Sequence, residues 1–88
     1  MALIVQKYGG TSVANVERIQ AVAMRVCKAI GNGDKMVVVV SAMSGETNRL
    51  TALANDISKR PAAREMDVLL STGEQVTIAL LSMALQQC

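Results

Sequence analysis

A lysine followed by two adjacent glycines could hold an anion near the start of the chain, in the segment Lys7–Ser12. The segment follows a predicted strand and precedes a predicted helix, and ligands of open α/β sheets bind at that end of a strand. Gly9 and Gly10 would let a ligand approach the backbone amides, and Lys7 adds a positive charge beside a helix N-terminus. Phosphate is the expected ligand. The alternative is a tight turn with Lys7 as a solvated charge, because short motifs often match by chance.

Hydroxyl groups follow the second apolar run of the chain, in the segment Ser41–Thr47. Because this run predicts a second strand of the same sheet, its polar segment would lie at the same edge as Gly9 and Gly10. The hydroxyls and exposed amide groups there could hold a carboxylate. The alternative makes Ser41 a strand terminator and Thr47 a helix cap, and it is the simpler interpretation, since Ser and Thr favour such positions for local reasons.

A third polar segment, Ser71–Glu74, lies between apolar stretches in the last part of the chain. Glu74 would stand at the start of a helix, where its carboxylate could bind the ammonium group of a substrate. Ser71 followed three residues later by Glu74 also matches a helix capping box. The residues alone favour the cap, although one carboxylate can serve both purposes.

The spacing of apolar residues predicts the elements that would position the first two segments. A strand is expected over about Leu3–Tyr8, and a second over Met36–Val40, whose run of β-branched residues is typical of a fully buried strand. Between them, apolar residues recur at helical steps over Val16–Ile30, with Thr11, Ser12 and Asn15 as candidate caps and Gly31–Gly33 as the stop. The strands should therefore be parallel, with a right-handed crossover.

The second half of the chain predicts three helices. The first is capped by Thr47 and broken at Lys59–Pro61, the second follows directly, and Ser71–Gly73 interrupts it before a last helix begins at Glu74. The last helix is apolar on nearly all sides, which predicts deep burial. Because two strands cannot form a stable doubly covered sheet and the last helix has no stop signal, we expect the chain to be incomplete.

Composition narrows the function further. The net charge is +2, Tyr8 is the only aromatic residue, and no Lys/Arg cluster is present, so a nucleic-acid partner is not expected. The absence of histidine excludes a histidine triad or histidine metal site within the 88 residues. Cys27 and Cys88 fit no metal-ligand spacing and predict reduced thiols in a cytosolic protein. The longest apolar stretch, Val76–Leu85, falls short of the roughly 20 residues of a membrane span, and no signal peptide is recognisable.

Taken together, three segments resemble the aspartate kinase family, part of the amino acid kinase superfamily: Lys7–Val13, Val39–Asn48 and Arg64–Glu74. They occur in the order of the family, and the match covers the whole chain. The first segment is highly specific, because acetylglutamate and uridylate kinases share the fold but not this string.

The resemblance implies a role for individual residues. Lys7, Tyr8, Gly9 and Gly10 would bind the phosphates of ATP, with Lys7 as the catalytic residue. Ser41 and Thr47 would lie beside L-aspartate, Glu74 would pair with its α-ammonium, and no residue of the chain is assigned to a metal. ATP with Mg²⁺ would be needed in the complete enzyme, which would phosphorylate the side-chain carboxylate of aspartate. That step is the first of lysine, threonine and methionine biosynthesis.

The resemblance also implies the architecture. The fold expected is a three-layer α/β/α amino acid kinase fold (carbamate kinase-like), of which residues 1–88 would be the N-terminal portion. The nucleotide-binding half and the regulatory ACT domains of the family are absent from the sequence. The fragment is expected to be inactive alone, and the complete enzyme to be a cytoplasmic homo-oligomer without a membrane partner. The competing interpretation is a small non-enzymatic α/β module that binds anions or a protein partner.

Overall fold

A computed structural model describes all residues, 1–88, as a two-stranded sheet with helices. In chain order the elements are β1 (Leu3–Tyr8), a short 3-10 helix (Gly10–Val13), α1 (Val16–Gly31), β2 (Lys35–Val40), α2 (Glu46–Ile57) and α3 (Ala63–Leu85). The predicted α/β class with parallel strands and covering helices is confirmed.

The two strands pair in parallel and in register along their whole length, from Leu3 opposite Lys35 to Tyr8 opposite Val40. The ladder continues past the strand ends, since the Ser41 N–H donates to the Tyr8 carbonyl over 3.1 Å. Parallel strands require a crossover, and α1 provides it. The segments that follow β1 and β2 therefore leave the sheet at the same edge, as predicted.

One face of the sheet carries the core. The apolar face of α1 and part of α3 pack there around Tyr8 and the inward side chains of β2. The other buried residues of this core are Val13, Ile19, Val22, Ala23, Val26 and Leu81. Of the candidate caps only Asn15 is confirmed, because its side chain accepts a hydrogen bond from the Arg18 N–H over 2.9 Å. After α1 the chain turns through Gly33, whose φ of 93° favours glycine.

The other face of the sheet bears no helix. Its side chains alternate with those of the core face, and Val37 and Val39 are 47% and 45% exposed. The prediction that β2 is fully buried is therefore wrong for these 88 residues. Leu3 and Val5 of β1 are still more exposed on the same face, so two layers of the expected three are present.

The start of α2 differs from the prediction that Thr47 is its cap. The helix begins at Glu46, and the residue before it is Gly45 with a φ of 86° and no side-chain cap. A left-handed residue disfavours any side chain, so glycine makes this sharp turn possible. Thr47 lies inside the first turn of the helix.

The predicted interruption at Ser71–Gly73 is also wrong, because α3 runs without a break from Ala63 to Leu85. The Ser71 hydroxyl donates to the Val68 carbonyl over 2.7 Å, and the Thr72 hydroxyl donates to the Leu69 carbonyl over 2.6 Å. Hydroxyls that bond back to the preceding turn are compatible with a helix interior. Glu74 consequently lies in the middle of a helix, and the capping-box interpretation is excluded.

The C-terminal half of α3 is less buried than its composition predicted. Only Gly73, Thr77 and Leu81 of this helix are buried, and Ile78 and Met83 are more than half exposed. By length and a mean hydropathy of 1.5, α3 could cross a membrane. This is weak support for a span, because core helices of water-soluble proteins meet the same criteria.

The two cysteines also differ from the expectation of reduced thiols. α3 packs along α1, which brings Cys88 beside Cys27 with 6.4 Å between their Cα atoms. This distance lies within the range that a disulfide spans, and the two residues are paired as a disulfide in the structure. Sequence separation alone gave no sign of this proximity.

Candidate active site

The two segments that leave the sheet edge pack directly on each other. A side-chain carbon on Gly10 would lie 3.1 Å from the Ala42 carbonyl oxygen and 3.6 Å from the Ser44 backbone. Such a contact is tighter than ordinary van der Waals packing of carbon atoms. Glycine at this position thus allows the loop after β1 to approach the loop after β2.

The third segment joins the other two through Gly73. A side-chain carbon on Gly73 would lie 3.0 Å from the Ala42 Cβ and 3.9 Å from the Glu46 Cβ. Ala42 itself is buried, between the glycine of the first loop and the glycine of α3. The three polar segments of the sequence therefore converge around one small residue.

The loop after β1 offers backbone donors. None of the hydrogen bonds within the chain uses the N–H groups of Gly9, Gly10 or Thr11 as donors. The candidate caps Thr11 and Ser12 lie inside the 3-10 helix and do not cap α1, which begins only at Val16. The partial positive charge at this loop therefore comes from the free N–H groups at the start of the short 3-10 helix.

The side chains on either side of this loop have different surroundings. Lys7 is exposed and shows no ion pair, so its charge is available to a ligand. The Tyr8 ring instead faces the core, and its hydroxyl donates to the Gln6 side chain over 2.6 Å. Only the backbone of Tyr8 is available at the loop.

Glu46, in the segment Ser41–Thr47, forms an ion pair with Arg49 in the next turn of α2. The Arg49 guanidinium donates to both carboxylate oxygens of Glu46, over 2.8 and 3.1 Å. These hydrogen bonds hold the pKa of the Glu46 carboxyl below its usual value. Ser41 is half-buried at the sheet edge, and Thr47 is exposed in the first turn of α2.

Glu74 is the carboxylate left free near this meeting point. The Arg49–Glu46 pair is the only salt bridge of the chain, and Glu74 is exposed on α3 with no hydrogen-bond partner of its own. Glu46 is neutralised by its own arginine, whereas Glu74 can bind a cation from outside. Its neighbour Gly73 places it next to the loop that carries Ser41.

Sequence reasoning gave no role to Ala42, Gly73 or Gly45, although each shapes the site. A glycine in the middle of an apolar helical pattern was the available sign for Gly73, because such a glycine often marks a close backbone approach. A cavity of about 380 Å³ lies away from this site, between α2 and α3, and is lined by residues from Ala54 to Leu69. A small cleft of about 70 Å³ lies beside Ser12. The candidate site is an open edge.

Known proteins resemble this chain along nearly its whole length. Residues 2–88 match the sequence model of the amino acid kinase family. An aspartokinase of Pseudomonas aeruginosa is 71% identical over 85 residues, which cover 97% of this chain and 21% of that protein. An aspartokinase of Geobacillus stearothermophilus is 59% identical over 87 residues, covering 99% of the chain and 21% of that protein.

A solved structure resembles the fold equally well. The crystal structure of aspartate kinase from Synechocystis superimposes with a TM-score of 0.94 at 64% identity, and the match covers 97% of this chain and 14% of that one. The chain spans about a fifth of the length of the curated relatives and matches their N-terminal part. Since the family match extends over residues 2–88, the chain belongs to the amino acid kinase family.

Proposed function

We propose that residues 1–88 are the N-terminal part of the catalytic domain of an aspartate kinase. The reaction is transfer of a phosphoryl group from ATP to the side-chain carboxylate of L-aspartate, giving 4-phospho-aspartate, the first step of lysine, threonine and methionine biosynthesis in the cytoplasm. The observation that carries the proposal is the convergence of the three polar segments around Ala42. Identity of 71% to a named aspartokinase supports the same assignment.

The phosphates of ATP bind at the loop after β1. The free N–H groups of Gly9, Gly10 and Thr11 suit phosphate oxygens, and the exposed Lys7 ammonium adds a full positive charge. Phosphoryl transfer depends on positioning and charge neutralisation more than on covalent chemistry from the protein. Lys7 therefore acts by stabilising the negative charge of the transferred group.

Aspartate binds between the loop after β2 and α3. Glu74 carries a charge with no partner in the chain, so it pairs with the α-ammonium of the substrate. Ser41 and Thr47 supply hydroxyls that orient the substrate. No strong general base is required, because the attacking carboxylate is already ionised near neutral pH.

The Mg²⁺ that accompanies ATP neutralises phosphate charge when bound. No three acidic or cysteine side chains of the chain lie close enough together to hold a metal ion. The donors present here thus fit phosphate and not a metal, and no step of this mechanism is assigned to the ion. The nucleotide-binding half and the ACT regulatory domains belong to the remainder of the full-length protein, which acts as a homo-oligomer.

The proposal is tested by comparing the full-length protein with residues 1–88 alone. ADP formation is followed with ATP, Mg²⁺ and aspartate, and again without aspartate. We expect aspartate-dependent ADP formation from the full-length protein and none from the 88 residues. Turnover by the short chain would show that the phosphate loop and the three segments are sufficient, and no turnover by the long one would refute the function.

A further inference from the structure

We propose that Gly73 and Ala42 form a spacing contact that sets the position of Glu74 relative to the phosphate loop. The proposal rests on the aspartate kinase function and deepens it. Gly73 and Ala42 then act as positioning residues for the amino acid substrate, although neither touches it.

The presence of glycine in the middle of α3 needs a physical reason. Glycine in a helix interior lowers helix stability relative to alanine, because its backbone loses more conformational freedom on folding. Gly73 is buried and sits between two well-formed turns of α3. The reason lies outside the helix: an added Cβ would come within 3.0 Å of the Ala42 Cβ and 3.6 Å of a Leu50 methyl carbon.

The same alanine fixes the other side of the site. The Ala42 carbonyl oxygen would lie 3.1 Å from a side-chain carbon added to Gly10, so the loop after β2 already approaches the backbone of the first loop closely. We therefore expect a larger residue at position 73 to increase the separation between α3 and the loop by a few tenths of an ångström. Glu74 follows Gly73 in the same rigid helix and moves with it.

This arrangement links the ammonium-binding group to the phosphate-binding loop through two contacts. Glu74 is fixed to Gly73 by the helix, Gly73 lies against Ala42, and Ala42 lies against Gly10. The span between substrate ammonium and transferred phosphate is thereby determined by residues without functional groups. Small displacements of this kind reduce rates strongly, because reacting groups must be aligned closely.

The test is a variant cycle in the full-length protein. Gly73→Ala should raise the KM for aspartate about tenfold and change the KM for ATP little, since a misplacement of a few tenths of an ångström affects the substrate whose anchor moves. In an Ala42→Gly background the same Gly73→Ala change should alter the aspartate KM by no more than a factor of about two, the scale on which independent effects add. Gly31→Ala is the matched control, because its added Cβ meets nothing within 4 Å.

The outcomes separate this proposal from the proposed function. A Gly73→Ala variant with unchanged aspartate KM, or an equal effect in both backgrounds, overturns the spacing contact while leaving the kinase function intact. If the wild type shows no aspartate turnover, the function fails, and the contact is judged by melting temperatures. In that case the spacing contact is refuted if the Ala42→Gly/Gly73→Ala double variant has a melting temperature no higher than that of Gly73→Ala alone.

Discussion

Lys7 and Glu74 are the two charged side chains to which the proposed chemistry assigns a role, and each is exposed without an ion pair. Lys7 is the next-to-last residue of β1 and lies on the open face of the sheet, close in sequence to the free amides of Gly9 and Gly10. Glu74 is exposed on α3 and follows Gly73, the residue whose backbone approaches Ala42. Charges that have no partner inside a protein contribute little to its stability and remain available to ligands.

At Lys7, replacement by alanine should reduce turnover of the full-length protein about 10²–10³-fold, the usual cost of removing one electrostatic contact to a developing charge. Lys7→Met should be nearly as damaging, because it keeps much of the stem but not the charge. Lys35→Ala is the control, since Lys35 is exposed at the opposite end of the same sheet face. Steady-state kinetics measure the turnover of these variants. Near-normal turnover of either Lys7 variant would show that Lys7 is only a surface charge.

At Glu74, replacement by glutamine should raise the KM for aspartate about 10–100-fold, the range expected for a hydrogen bond to a charged group. The KM for ATP should change little. The melting temperature should also be almost unchanged, because the Glu74 side chain makes no ion pair in the chain and caps no helix.

Glu65→Gln, which removes another exposed charge from α3, is the matched control for Glu74→Gln. Unchanged aspartate kinetics in the Glu74 variant would contradict the ammonium-binding role. A large fall in its melting temperature would assign the charge to stability instead.

At the scale of the elements, the turn between β2 and α2 depends on Gly45. Its φ of 86° lies in the left-handed region, so Gly45→Ala should destabilise the protein by about 1–2 kcal/mol. Gly45→Asn should cost less, because asparagine tolerates this region better than alanine. Urea denaturation of the two variants measures the difference, and equal stability of Gly45→Ala and wild type would show that the turn relaxes without strain.

The sequence predicted both strands and α1, with Asn15 among its candidate caps, because apolar spacing and capping residues are local signals. It failed where local signals were ambiguous. Ser71 and Glu74 have the spacing of a capping box, yet the Ser71 hydroxyl can also bond back to a carbonyl within a continuous helix. The packing of Gly73 against Ala42 is a tertiary contact that favours the continuous helix and has no local sequence signal. A run of five apolar residues in β2 likewise could not show which face would be covered.

At the scale of the whole molecule, the sheet has an apolar face without a covering layer. Leu3, Val5, Val37 and Val39 are exposed there, and the chain spans only about a fifth of its relatives' length. We expect the remainder of the full-length protein to cover this face. Val37→Asp should then destabilise the full-length protein by about 1.5–3 kcal/mol or more, because burial of a valine side chain contributes that much to stability.

Ala21→Asp is the control for that substitution, since Ala21 lies exposed on α1. Thermal melting of the full-length variants compares the two. If Val37→Asp melted no lower than Ala21→Asp, the open face of the sheet would be a true surface of the protein.

The central claim is that these residues serve phosphoryl transfer to the side-chain carboxylate of aspartate. The most direct measurement traps the product of the full-length protein with hydroxylamine, which converts an acyl phosphate to a hydroxamate, and identifies the carboxylate that reacted. We expect the β-hydroxamate of aspartate, formed only with ATP present and greatly reduced by Lys7→Ala. Absence of any aspartyl hydroxamate, or a product on the α-carboxylate, would contradict the assignment.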